Sequence, residues 1–133
     1  MGDLTKNISK HELLCKCGNP DCSFTVLDYE DVIDVVQECC NHFAVEYGVD
    51  KVTLIITSAA RCNTHNKSPE VGSNDNSRHT RGDAIDFKIK VKGLQLEPRV
   101  VYDYLDAKYT GRYGVGLYKT FTHVDTRSVV ARW

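Results

Sequence analysis

His79 and Asp86 stand seven residues apart in Ser77-Arg78-His79-Thr80-Arg81-Gly82-Asp83-Ala84-Ile85-Asp86-Phe87, and His123 follows in Phe121-Thr122-His123-Val124-Asp125-Thr126-Arg127. Histidine mixed with a carboxylate is a common donor set for a catalytic zinc, which takes three protein ligands and keeps one position for water. A zinc held in this way lowers the pKa of its water to about 7 and polarises a carbonyl oxygen, the chemistry of hydrolysis. His79 and Asp86 are too distant to form a helical pair. They converge only if His79 lies in the loop that feeds a strand and Gly82 allows a tight approach. His123 would then arrive from an adjacent strand. Spacing alone leaves two readings open: one shared metal, or three unrelated polar residues, because no local pattern such as His-Glu-x-x-His ties them together.

The elements around these residues have a readable phase. Ile85, Phe87, Ile89 and Val91 alternate with Ala84, Asp86, Lys88 and Lys90, which predicts a strand whose apolar set faces the core and whose Asp86 faces away. Residues 51–58 are rich in β-branched side chains and predict a largely buried strand. The stretch between these strands, 62–78, has loop chemistry, and a loop of that length in a compact domain is usually functional. Residues 111–118 read as a glycine-spaced strand, turned back by Lys119-Thr120 into a strand over 121–127. There Phe121, His123, Asp125 and Arg127 share one face, while Thr122, Val124 and Thr126 share the other.

Two helices are expected. The first starts near Asp28 as N-cap, buries Val32, Ile33, Val36, Cys39, Cys40, Phe43 and Tyr47, and is capped at its end by Gly48. His42 on this helix reads as a surface residue. The second begins at Leu96-Glu97-Pro98, with Pro98 at the first helical position and Val101, Tyr104 and Leu105 on its buried side. The pattern is α+β: a small, mainly antiparallel sheet with helices on one face.

With 133 residues the chain fits one domain, an irregular N-terminal segment over 1–27 and a core over 28–133. A formal net charge of -1 gives no electrostatic case for nucleic acid or an anionic membrane. The N-terminus lacks the apolar core of a signal peptide and no window has the length of a membrane span, so the chain is expected to be made in the cytoplasm; a monomer is expected as well. On that expectation the six cysteines are reduced thiols. His11, Cys15, Cys17 and Cys22 have the residue types of a small zinc knuckle, but their spacing departs from paired Cys-x-x-Cys units, and packed or exposed thiols are the plainer reading.

Ser77-x-His79-x-x-Gly82-x-Ala84-x-Asp86, preceded by Ser58-Ala59-Ala60-Arg61 and followed by His123-Val124-Asp125, resembles the zinc D-Ala-D-Ala carboxypeptidase family. That family includes phage endolysin L-alanyl-D-glutamate peptidases and murein endopeptidases, and shares its zinc fold with the Hedgehog signalling domain. The resemblance implies that His79, Asp86 and His123 bind zinc and that Arg61 sits near the substrate, on a carboxylate or the developing oxyanion. Ser77 would orient a ligand or cap a turn. Two departures stand out: Ala59-Ala60 replaces Gly-Tyr, and Thr120 occupies a position where many members carry an acidic general base. Asp125 is the nearest carboxylate in sequence to His123, and is expected either as base or as a carboxylate supporting the metal site, or else to pair with Arg61 or Arg127. Tyr113 and Tyr118 are further candidates for hydrogen bonding to the transition state.

The implied activity is zinc-dependent hydrolysis of the peptidoglycan stem peptide, of the endolysin or murein-hydrolase kind. Such an enzyme would reach the cell wall through a holin-type membrane hole made by another protein. The alternative is a zinc-bearing module without catalysis, such as a phage tail component.

Overall fold

The computed structural model describes residues 5–8, 10–13, 31–59 and 84–133. Helix α1 (Val32–Glu46) turns Val32, Ile33, Val35, Val36, Cys39, Cys40, Phe43 and Ala44 inward. Asp31 is at its N-cap and makes no side-chain capping bond there; the expected start at Asp28 lies outside the described residues. Tyr47 departs from expectation. It is the C-cap residue, past the last helical turn, and its side chain is exposed rather than continuing the buried stripe. Gly48 follows with φ +65°, the left-handed conformation that closes a helix at little steric cost.

Thr5 and Asn7 are tied to this helix, and the short 3-10 turn Lys10–Leu13 lies against residues 53–58. Ile8 and Leu13 are fully buried. Thr5 Oγ1 and the Asn7 backbone N–H both donate to Gln37 Oε1, at 2.6 and 2.9 Å, and Asn7 Nδ2 donates to the Val52 carbonyl at 2.8 Å.

Strand β1 (Thr53–Ser58) pairs antiparallel with β2 (Ala84–Val91), setting Leu54 opposite Ile89 and Ile56 opposite Phe87, with an irregularity between Ile56 and Ser58. Lys92 and Gly93 both have positive φ, the requirement of a tight two-residue hairpin turn, and return the chain into β3 (Leu94–Gln95). Helix α2 (Pro98–Lys108) opens on Pro98 and buries Val101 and Leu105. Among the described residues, the strands β4 (Gly114–Leu117), β5 (Thr122–Asp125) and β6 (Ala131–Arg132) join the others in a six-stranded sheet of order β1-β2-β5-β4-β6, with β3 paired to β2. The pairings are antiparallel except β4 with β6, which is parallel.

β4 and β5 are shorter than their sequence patterns predict. Gly111 and Tyr113 both adopt positive φ, which breaks the extended run before Gly114. Beyond Asp125 the Arg127 backbone N–H turns back onto Asp125 Oδ1 at 3.2 Å, ending β5 in a side-chain-capped turn.

Ile85, Phe87, Ile89, Val91, Val115 and Val124 meet the buried faces of both helices in one core. α1 packs on β2, and α2 on β4 and β5. Burying a side chain such as Phe87 contributes roughly 2–3 kcal/mol, so this face fixes the strand register. Once it is fixed, the alternate residues of β2 and β5 have no choice of face. Among the described residues no helix is long and apolar enough to cross a membrane.

Candidate functional site

Strand register assembles the site. Asp86 lies directly opposite His123 across β2 and β5, and Ala84 lies opposite Asp125. On the other side of β5, Gly116 faces His123 and Gly114 faces Asp125. Directly opposed residues project to the same side of a sheet, so these six positions share the face turned away from the helices. Asp86, His123 and Asp125 are all buried there, Asp125 completely at 0% exposure.

Both nitrogens of the His123 ring meet a carboxylate: Nδ1 is 2.7 Å from Asp86 Oδ1, and Nε2 is 2.7 Å from Asp125 Oδ2. A neutral imidazole carries one N–H, so it can satisfy only one of these contacts; the other would set lone pair against lone pair. Three arrangements satisfy both: a doubly protonated ring, a neutral ring that accepts at its second nitrogen from a protonated Asp86, or a ring with a proton on one nitrogen and a cation on the other. Burial alone would push the His123 pKa down, but the hydrogen bonds to Asp125 and Asp86, with their charges, outweigh it and raise the pKa. The two carboxylates therefore concentrate negative charge around the His123 ring.

Arg127 decides which carboxylate plays which part. Its Nε and Nη2 donate to Asp125 Oδ1 and Oδ2, both at 2.7 Å, a bidentate charge-assisted pair. Burial opposes ionisation of Asp125, yet the bonds from Arg127 and His123 overcome it and hold the carboxyl well below the usual carboxylate range. Asp125 is thus a permanent anion with both oxygens engaged. It fixes a proton on Nε2 and leaves Nδ1 aimed at Asp86, the arrangement in which a carboxylate orients a metal-binding histidine.

The two glycines of β4 make room for these groups. A Cβ on Gly114 would lie 2.6 Å from Arg127 Nε and from both Asp125 oxygens, and one on Gly116 would lie 2.6 Å from Trp133 Cε2 and Nε1. The Trp133 ring stands 5.1 Å from the His123 ring and, at the same separation, under the Arg127 guanidinium.

Of the residues singled out in the sequence, Asp86, His123 and Asp125 come together. His79, Arg61 and Ser77 lie outside the described residues, as do Cys15, Cys17 and Cys22. No group of three metal-donor side chains is complete among the described residues; Asp86 and His123 are the two prospective ligands that meet there. Tyr113 packs instead near Tyr109 in the helix-side core, with ring centroids 5.3 Å apart. Tyr118 borders the site, accepting the Trp133 Nε1–H at 2.8 Å and stacking on Phe121. Thr120 is exposed in the turn before β5, its carbonyl taking a bond from Gln95 Nε2 at 3.1 Å. Sequence reasoning missed Trp133 and the purpose of Gly114 and Gly116. The alternation Gly114-x-Gly116 in a strand neighbouring His123 was the available signal, since paired glycines on one face leave space for something large.

A family model described as Peptidase M15 matches residues 6–125, nearly the whole chain. Comparison with curated proteins and with solved structures returned no match. The α+β architecture with its mainly antiparallel open sheet agrees with that family assignment. The chain belongs to the peptidase M15 family.

Proposed function

We propose that this peptidase is zinc-dependent and hydrolyses peptide bonds in bacterial peptidoglycan, with Asp86 and His123 as two of its zinc ligands and His79 as the third. The observation that carries the proposal is the imidazole of His123 caught between two carboxylates, Asp86 at Nδ1 and the Arg127-paired Asp125 at Nε2. A divalent cation satisfies the same Nδ1 lone pair and Asp86 oxygen that a shared proton satisfies, and histidine with aspartate suits zinc. When bound, zinc supplies an activated water and polarises the scissile carbonyl.

The chain's own residues then divide the work. Asp86 contributes negative charge and an oxygen donor. His123 contributes Nδ1, oriented because Asp125 holds the Nε2 proton. Arg127 keeps Asp125 ionised and stationary. Arg61 binds a substrate carboxylate or the oxyanion that develops on the attacked carbonyl. The stem peptide is proposed as substrate because the motifs around His79, Asp86 and His123 resemble those of wall-cleaving members of the family.

A zinc-bearing binding module is the second reading, and two observations favour it: Thr120 stands where an acid is common, and the Asp125 carboxylate is committed to Arg127 and His123. Digestion of purified peptidoglycan, with released muropeptides read by mass spectrometry, separates the two. The enzyme reading predicts defined fragments that vanish in His79→Ala and with chelator. Intact wall after exposure to zinc-loaded protein would refute it in favour of the binding module.

A further inference from the structure

The C-terminal residues fold back onto the site. Ala131 N–H donates to the Tyr113 carbonyl at 3.0 Å, Trp133 N–H to the Val115 carbonyl at 3.2 Å, and Leu117 N–H to the Trp133 carbonyl at 2.7 Å. These bonds run β6 beside β4 and deliver the chain's single tryptophan over Gly116, onto the face that bears His123. The indole is held on three sides. Its N–H donates to the Tyr118 hydroxyl at 2.8 Å, its ring lies against the His123 ring, and the Arg127 guanidinium stands over it at 5.1 Å. A cation over an indole face is attracted by the ring quadrupole. An apolar ring beside an ion pair also thins the local water and strengthens the bonds it covers. Trp133 itself is 44% exposed, so it covers the site without being part of the core.

We propose that Trp133 is a positioning residue for the reaction: seated over Gly116, its indole holds Arg127 against Asp125, and through that carboxylate fixes the imidazole of His123. The inference rests on the proposed zinc site and adds to it a residue outside the proposed ligand set.

The test compares full-length wild-type, Trp133→Phe, Trp133→Ala and Gly116→Ala proteins by chelator competition for zinc and by steady-state kinetics on peptidoglycan. Circular dichroism confirms the folded fraction at the assay temperature. Trp133→Ala is expected to weaken zinc binding about tenfold to a hundredfold, the range for groups that orient a metal ligand, and to lower kcat with KM unchanged. Trp133→Phe restores most of the loss, because an aromatic ring still covers Gly116. Gly116→Ala reproduces the Trp133→Ala result, because its added Cβ falls 2.6 Å from the indole and must displace it. Combined with Arg127→Met, Trp133→Ala is expected to add little further loss. Wild-type zinc affinity and kcat in a folded Trp133→Ala protein would overturn the inference, as would losses that multiply independently of Arg127→Met. Should Trp133→Ala not fold, Tyr118→Phe removes only the acceptor of the indole N–H; a smaller fall in zinc affinity supports the inference and unchanged affinity overturns it. A wild-type chain that binds no zinc is a different result, which overturns the proposed function and this inference with it.

Discussion

Asp125→Asn distinguishes a carboxylate that orients His123 from one that moves a proton in catalysis. Asp125 is completely buried and takes four polar contacts: two from the Arg127 guanidinium at 2.7 Å, one from the Arg127 backbone N–H at 3.2 Å, and one from His123 Nε2 at 2.7 Å. Asparagine keeps the shape but offers one accepting oxygen, and its amide group must point N–H donors at either Arg127 or His123. Removing one partner of a buried ion pair costs about 3–5 kcal/mol. Arg127 retains 26% side-chain exposure and can partly rehydrate, so the expected cost is lower, about 2–4 kcal/mol. At about 4 °C per kcal/mol for a domain of this size, Tm should fall by roughly 10 °C. Zinc affinity should fall about tenfold to a hundredfold as the ring loses its orientation. Thermal unfolding followed by circular dichroism, with chelator competition on the same samples, reads both. Unchanged Tm and zinc affinity with abolished turnover would refute this reasoning and make Asp125 the general base.

Other consequences can be checked independently. Gly114→Ala places a methyl 2.6 Å from Arg127 Nε and both Asp125 oxygens, so overpacking should cost about 1–3 kcal/mol in urea titration; a wild-type midpoint would mean the ion pair has room to move. Phe87→Ala empties a fully buried position beneath the site and should cost about 3–5 kcal/mol by the same titration, with a loss under 1 kcal/mol contradicting the packing. Cys39 and Cys40 are buried and their thiols pushed up, Cys40 to about 12, so both should resist alkylation at neutral pH in the folded chain, as peptide mapping would show. The Cys40 pKa is raised above its unfolded value near 9, so its contribution is fully present below pH 9 and drains away between pH 9 and 12. Cys40→Ala should flatten the alkaline loss of stability in that window.

Much of this geometry was legible in the sequence because one physical rule governs it. A half-buried strand repeats every two residues, so Ile85, Phe87 and Ile89 on the helix side force Asp86 onto the opposite face. The same rule placed His123 and Asp125 together, whereas Arg127 reaches Asp125 from the turn beyond the end of β5. What periodicity does not specify is which strands are neighbours. Asp86 meets His123 because β5 inserts between β2 and β4, and the core packing of Phe87, Val124 and Val115 selects that order. Trp133 was hidden for a different reason: β6 has two residues, too short for any period, and its parallel return onto β4 leaves no local signal. Tyr47 shows the limit of helical phase, which extends beyond the last turn on paper but not past the Gly48 cap.

Zinc content per chain tests the central claim most directly. Purified protein, freed of loose metal by gel filtration and measured by mass spectrometry of the elements, should carry one zinc per chain, and Asp86→Ala or His123→Ala, shown folded by circular dichroism, should carry none. Two zincs in wild type, with one retained in those variants, would assign the second to the cysteines near the N-terminus. A wild-type chain without zinc, or folded variants that keep the full wild-type content, would contradict the assignment of Asp86 and His123 as the ligands.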